Sequence, residues 1–159
     1  MRKLQTPSVS GVCLLVSVLV AQTMADTSKG IRAYQAGDYA TALKEFMPSA
    51  ALGDKVAQFS VGVLYYYGRG VQQNHDEARR WYRLAADQGY GRAQVNLGMM
   101  WGRGEGGPRD YVEAFMWFSL AAAAGDEQGR QGRDALAPRM TPAQLAEGRK
   151  RALEWEPKE

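Results

Sequence analysis

The feature that most constrains the fold is an internal repeat of 36 residues. Residues 55–90 align with residues 91–126 without a gap, and twelve of the 36 aligned positions are identical. The identities are mostly small residues at fixed positions, with one tryptophan: Gly62 with Gly98, Gly68 with Gly104, Trp81 with Trp117, and Gly89 with Gly125. A fixed period of this length is typical of arrays in which each unit packs on its neighbours.

Each unit predicts two helices. The first helix is expected from about 55 to 67, where Gly68 offers the permissive backbone that ends many helices. The second is expected from about 74 to 88, with Asn74 as the N-cap residue and Asp110 in the same role one unit later. The unit is therefore a pair of antiparallel helices.

The second helix has one apolar and one basic face. The face expected to be buried carries Ala78, Trp81, Leu84, Ala85 and Gln88 at helical spacing. The opposite face, expected to be solvated, carries Arg79, Arg80 and Arg83.

The array extends in both directions from the two clear units. Residues 26–54 fit a degenerate N-terminal repeat, and residues 127–159 fit C-terminal capping helices. Within the cap, Thr141 followed by Pro142 is a helix-start signature. Three to four helix pairs reach the minimum for a stable solenoid.

The first 25 residues predict a secretory signal peptide. Arg2 and Lys3 precede a short apolar run over 9–21, and small residues lead to an expected cleavage after Ala25. The alternatives are an uncleaved anchor and a buried first helix. Cleavage predicts a periplasmic or secreted protein, with no stable membrane span in the mature chain.

Charge and residue types exclude several functions for a chain cleaved there. Removing two basic residues from 20 leaves 18 against 17 acidic ones, a net charge of +1 that argues against a nucleic-acid partner. Cys13 would be lost with the leader, and His75 is the only histidine. The Gly102-x-Gly104-x-x-Gly107 run resembles a dinucleotide motif but follows a helix, so it is interpreted as a turn. We expect no metal, cofactor or catalytic residue.

The repeat resembles a known family. The residues that carry the resemblance are Leu97-Gly98, Tyr65, Gly68-x-Gly70-Val71, Ala78-x-x-Trp81-Tyr82, Leu84-Ala85-Ala86 and Gln88-Gly89. They are similar to the pattern of the Sel-one-like repeat (SLR) family, a group of tetratricopeptide-type α-solenoids. The resemblance implies an all-α, right-handed superhelical solenoid with adaptor, scaffold or regulatory roles, in exported members often in the bacterial envelope.

A second apolar stripe on the first helix of each unit is the candidate partner-binding site. In the tetratricopeptide-type arrangement this stripe looks like the concave wall. Its residues in the two units are Val56, Phe59, Val63 and Tyr66, then Arg92, Val95, Met99 and Arg103. An apolar floor edged by arginines suits a protein or an extended peptide. The alternative is that the stripe only packs against neighbouring units.

These observations favour a non-enzymatic scaffold that binds protein or peptide through the concave face. The alternative is a cell-wall-directed hydrolase or a β-lactam-binding protein. Some secreted SLR members with cysteine-bridged repeats are described in that role, and this sequence lacks their cysteine pairs.

Overall fold

The computed structural model describes residues 27–158, and every regular element in that range is helical. The predicted signal peptide lies outside the described residues. The elements are α1 (27–35), α2 (Tyr39–Ala51), α3 (Lys55–Tyr67), α4 (His75–Asp87), α5 (Gly91–Arg103), α6 (Tyr111–Ala123), α7 (Glu127–Leu136), a 3-10 turn (Ala137–Arg139) and α8 (Pro142–Glu154). The predicted all-α solenoid is confirmed. No helix in this range is long and apolar enough to cross a bilayer.

Polar caps and glycines set the helix ends as the sequence predicts. Asn74 accepts from the backbone of Glu77 at the start of α4, and Asp110 caps α6 in the same way. Gly68 ends α3 in the left-handed region with φ of 65°, where a side chain would be strained. The predicted bounds of α3 are confirmed, and α4 is one residue shorter at each end because Asn74 and Gln88 are its caps.

Consecutive helices from α2 to α7 pack as neighbours along the array, and α8 packs back onto α6. The core consists of three clusters of buried side chains, with Trp117 the largest fully buried residue. Each cluster combines residues of more than one unit, so no unit buries its apolar face alone.

One aromatic ring in each unit packs directly on a glycine of the preceding helix. A Cβ at Gly62 would lie 2.7 Å from the ring of Tyr82, and one at Gly98 would lie 2.9 Å from the ring of Phe118. Phe46 has the same relation to a glycine of α1. The three rings are 36 residues apart, so they occupy equivalent positions.

Two side chains of α4 differ from the prediction. Leu84, expected in the buried stripe, is 41% exposed. Arg79, expected in solvent, is half-buried, with its guanidinium carbon 4.2 Å from the ring centre of Trp101. Trp101 belongs to α5, and the periodicity of α4 alone contains no information about a neighbour that covers its polar face.

Candidate partner-binding face

The first helices of successive units enclose three pockets at equivalent places. We call them the first, middle and third inter-unit pockets. The first lies between α1 and α3 over Phe46, with a volume of about 310 Å³. The middle one lies between α3 and α5 over Tyr82, at about 190 Å³. The third lies between α5 and α7 over Phe118, at about 260 Å³. The pockets therefore repeat with the sequence.

Five of the eight predicted site residues line these pockets. Phe59 and Val63 line the first, Tyr66 lines the middle one, and Met99 and Arg103 line both the middle and the third. The structure thus places these five residues on adjoining parts of one face.

The other three predicted residues differ in accessibility. Val95 is only 3% exposed and lies in a core cluster with Ala114 and Phe115, so packing accounts for it. Val56 is half-buried and Arg92 is exposed, and neither lines any of the three pockets. For Val95 the sequence assigned the right helix but the wrong surroundings.

The aromatic residues of the predicted stripe also support the fold. The Phe59 ring lies 5.6 Å from that of Tyr82 and 5.2 Å from that of Tyr90, centre to centre. The Tyr66 ring stacks on His75 at 5.1 Å, with 19° between the planes. Packing and pocket lining are therefore combined in the same side chains, and contact with a partner stays a prediction.

The middle pocket is the most polar of the three. Tyr66 donates a hydrogen bond of 2.9 Å to Glu105, and Arg103 lies 3.8 Å from the same carboxylate. Burial, with Glu105 beside it, raises the pKa of Tyr66. Burial also raises the pKa of Tyr82 far above its usual range, and the neighbouring Asn96 opposes this only in part. Both phenols are therefore protonated donors at neutral pH.

The hydroxyl of Tyr82 has no hydrogen-bond partner among residues 27–158, although the side chain is 1% exposed. Asn96 lines the same pocket and lies near enough to this hydroxyl to oppose the rise of its pKa, but the two side chains fall short of hydrogen-bonding geometry. Buried polar atoms are normally satisfied, so an unpaired hydroxyl on a residue that lines a pocket marks a candidate contact for a partner atom.

Positive charge predominates along this face. Arg92 and Arg139 are exposed, and neither forms an ion pair with another described residue. The side chain of Arg103 is 59% exposed and only loosely paired with Glu105. Exposed, unpaired arginines are common where proteins contact acidic groups.

Sequence reasoning missed two residues of the middle pocket, Tyr82 and Asn96. Both depart from the repeat: the residues equivalent to Tyr82 are Phe46 and Phe118, and the position of Asn96 holds Gly132 in the next unit. A search for positions where one unit differs from the others would have found them.

The remaining candidates behave as structural elements. His75 begins α4 and stacks on Tyr66. Of the glycine run, Gly102 lies in the last turn of α5, and Gly104, at φ of 74°, and Gly107 belong to the turn between α5 and α6. Within residues 27–158, no group of three or more histidine, cysteine, aspartate or glutamate side chains is placed to hold a metal ion.

Comparisons with known proteins agree with this architecture. The Sel1 repeat family pattern matches two consecutive stretches, residues 55–90 and 91–126. No curated protein matches the chain at a significant level.

Two solved structures are similar over most of the chain. One is c5321, a protective antigen present in uropathogenic Escherichia coli strains that displays an SLR fold, with 31% identity and a TM-score of 0.80 over 84% of this chain. The other is a Sel1 repeat protein from Oxalobacter formigenes, with 31% identity and a TM-score of 0.68 over 82% of this chain. The chain spans 29% and 56% of the lengths of these two proteins. The chain belongs to the Sel1-like repeat family.

Proposed function

We propose that this protein is a scaffold of the bacterial envelope that binds an extended segment of a partner protein along the face of its first helices. Sel1 repeat proteins are generally protein-interaction scaffolds. The observation that carries the proposal is the row of three inter-unit pockets, one at each junction between consecutive first helices. Such a row suits a ligand that places successive side chains into successive pockets.

The chemistry of the face defines the segment that fits. The first pocket is lined mainly by apolar side chains, including Ile31, Phe59 and Val63, and the third by Met99 and Leu136 with small residues. The arginines beside them are exposed. We therefore propose a partner segment that alternates apolar anchors with acidic residues.

The proposed location rests on the leader expected over residues 1–25. Its test is the intact mass of the chain recovered from the periplasm, which should correspond to a first residue of Asp26. A recovered chain that keeps residues 1–25, or one confined to the cytoplasm, would overturn the envelope assignment.

The binding proposal is tested by capture with charge-reversed bait. The purified chain and the variant Arg103→Glu/Arg139→Glu are incubated with periplasmic extract, and bound proteins are identified by mass spectrometry. These side chains are exposed, so their reversal should preserve helix content, whereas truncation of Phe59 or Tyr66 would remove packing. We expect at least one partner to be lost from the variant.

A matched control separates the face from general charge effects. Arg80→Glu/Arg149→Glu makes the same change in net charge at exposed positions of α4 and α8. Arg149 lines a different pocket, between α6, α7 and α8. A partner kept by this control and lost with Arg103→Glu/Arg139→Glu supports the face. Identical captures from all three baits would contradict it.

We propose no catalytic role for the face. The Sel1 repeat family is typically a non-enzymatic scaffold.

A further inference from the structure

The middle inter-unit pocket differs chemically from its two counterparts. Its floor is Tyr82, whereas the other two pockets have Phe46 and Phe118 at the equivalent position. All three rings pack on a glycine of the preceding helix in the same way. The hydroxyl is therefore not needed for the packing that this position performs, and another role has to account for it.

The donors of the middle pocket point to its occupant. Tyr82 lines the pocket, and its buried hydroxyl has no hydrogen-bond partner among residues 27–158. Asn96 and Arg103 line the same space and supply an amide and a guanidinium. The hydroxyl proton of Tyr66 is already committed to Glu105, outside this set. The pocket thus gathers these three donors around a volume of about 190 Å³, and the exposed Tyr67, which also carries a hydroxyl, completes its polar lining.

We propose that the middle pocket binds a carboxylate of the partner segment, whose oxygens accept from Tyr82, Asn96 and Arg103. This inference rests on the docking role proposed above and assigns its polar anchor. A carboxylate only accepts hydrogen bonds, so it matches a donor-rich pocket. A neutral amide would direct its own donors against those of the pocket.

Glu105 competes with such a ligand. Its carboxylate lies 3.8 Å from Arg103 and 24% of its side chain is exposed, so it holds the guanidinium and repels an incoming anion. Removing this charge should strengthen carboxylate binding, whereas removing a donor should weaken it. The two changes therefore act in opposite directions, which loss of structure cannot imitate.

The test uses acetate as the carboxylate probe and acetamide as its neutral counterpart. The purified chain is titrated with each, and the side-chain amide of Asn96 and the ring of Tyr82 are followed by NMR, with sodium chloride at equal ionic strength as the reference. We expect saturable shifts of both signals with acetate and none with acetamide. Absence of saturable acetate shifts, or equal shifts with acetamide, would overturn the proposal.

Three variants assign the contacts. Tyr82→Phe and Asn96→Ala should each weaken acetate binding about tenfold, because each removes one hydrogen bond to a charged acceptor. Glu105→Gln should tighten it several-fold. Acetate affinity that is unchanged in Tyr82→Phe would place the anion elsewhere and refute the assignment.

The same variants separate this inference from the scaffold function. A partner captured by the wild-type chain and lost with Arg103→Glu/Arg139→Glu, yet bound fully by Tyr82→Phe, would leave the scaffold function standing and remove the carboxylate anchor. Acetate binding with no captured partner would support the anion pocket and contradict the docking role on which its biological use depends.

Discussion

At the scale of single residues, Tyr82 combines a packing role with an unpaired polar atom. Its ring fills the contact with Gly62, and its hydroxyl is buried without a hydrogen bond to any residue that the structure describes. An unsatisfied buried hydroxyl costs stability, and Phe46 and Phe118 do the same packing without that cost. We therefore expect Tyr82→Phe to raise the free energy of unfolding by about 1 kcal/mol, measured by urea denaturation followed by circular dichroism.

Tyr66→Phe is the matched control for this prediction. It removes a hydroxyl that is bonded to Glu105 at 2.9 Å, so it should not stabilise the protein. Equal effects of the two substitutions, or a loss of stability in Tyr82→Phe, would mean that the hydroxyl of Tyr82 is satisfied in solution.

The sequence predicted residue roles well where the role is local. Asn74 and Gly68 were assigned as cap and stop from their immediate neighbours, and the structure confirms both. Arg79 was misassigned because Trp101, which covers it, belongs to the next unit. The pattern of one helix defines its own faces and leaves open what the next helix places over them.

At the scale of elements, glutamine side chains link the end of one unit to the start of the next. Gln58 of α3 donates to the carbonyl of Ala50, and Gln94 of α5 donates to that of Ala86 in the same way. The oxygen of Gln58 also accepts from Gln88 at 2.8 Å, but the oxygen of Gln94 has no partner in the described part of the chain. The difference arises because the residue equivalent to Gln88 in the next unit is Ala124.

Restoring that donor should stabilise the junction between α5 and α6. Ala124 is exposed, so a glutamine there adds no buried bulk and can donate to Gln94 as Gln88 does to Gln58. We expect Ala124→Gln to raise the free energy of unfolding by about 1 kcal/mol in urea denaturation.

Ala124→Met provides a side chain of similar length without a donor, and it should gain less than Ala124→Gln. Combining Ala124→Gln with Gln94→Leu should abolish the gain, since the acceptor is then gone. A gain in stability that persists in the double variant would show that the introduced glutamine acts by capping α6, and that it does not act through a hydrogen bond to Gln94.

At the scale of the whole molecule, residues 155–158 tie the last helix to both clear units, 55–90 and 91–126. Trp155 meets Trp117 edge-on at 6.4 Å between ring centres and packs on the central core cluster. Lys158 bonds Asp87 twice, through its backbone nitrogen and through its ammonium, each at 2.7 Å. These contacts span two units in sequence and couple the end of α8 to the end of α4.

The repeat pattern could not predict this connection. It describes contacts that recur at a fixed offset, and a contact between Lys158 and Asp87 occurs once. The family match and the 36-residue period likewise define the solenoid and the equivalence of its pockets. The chemistry of the middle pocket instead comes from Tyr82 and Asn96, each of which differs from the residues at the equivalent positions of the other units. Regular features were predictable, and features found in one unit only were not.

The coupling predicts that a chain ending at Glu154 unfolds less cooperatively. In a solenoid, stability is the sum of unit terms and interface terms, so removing contacts that bridge units should let the ends unfold separately. We expect the full chain to give coincident urea transitions by circular dichroism and tryptophan fluorescence, and the shortened chain to give transitions that separate.

Two point variants divide the effect between the contacts of this segment. Trp155→Ala should account for most of the lost stability and lower the free energy of unfolding by about 2 kcal/mol, because the side chain is half-buried. Lys158→Ala should cost less than about 1 kcal/mol, because its side chain is 69% exposed. Coincident transitions with an unchanged midpoint in the shortened chain would show that residues 155–158 contribute nothing to the coupling.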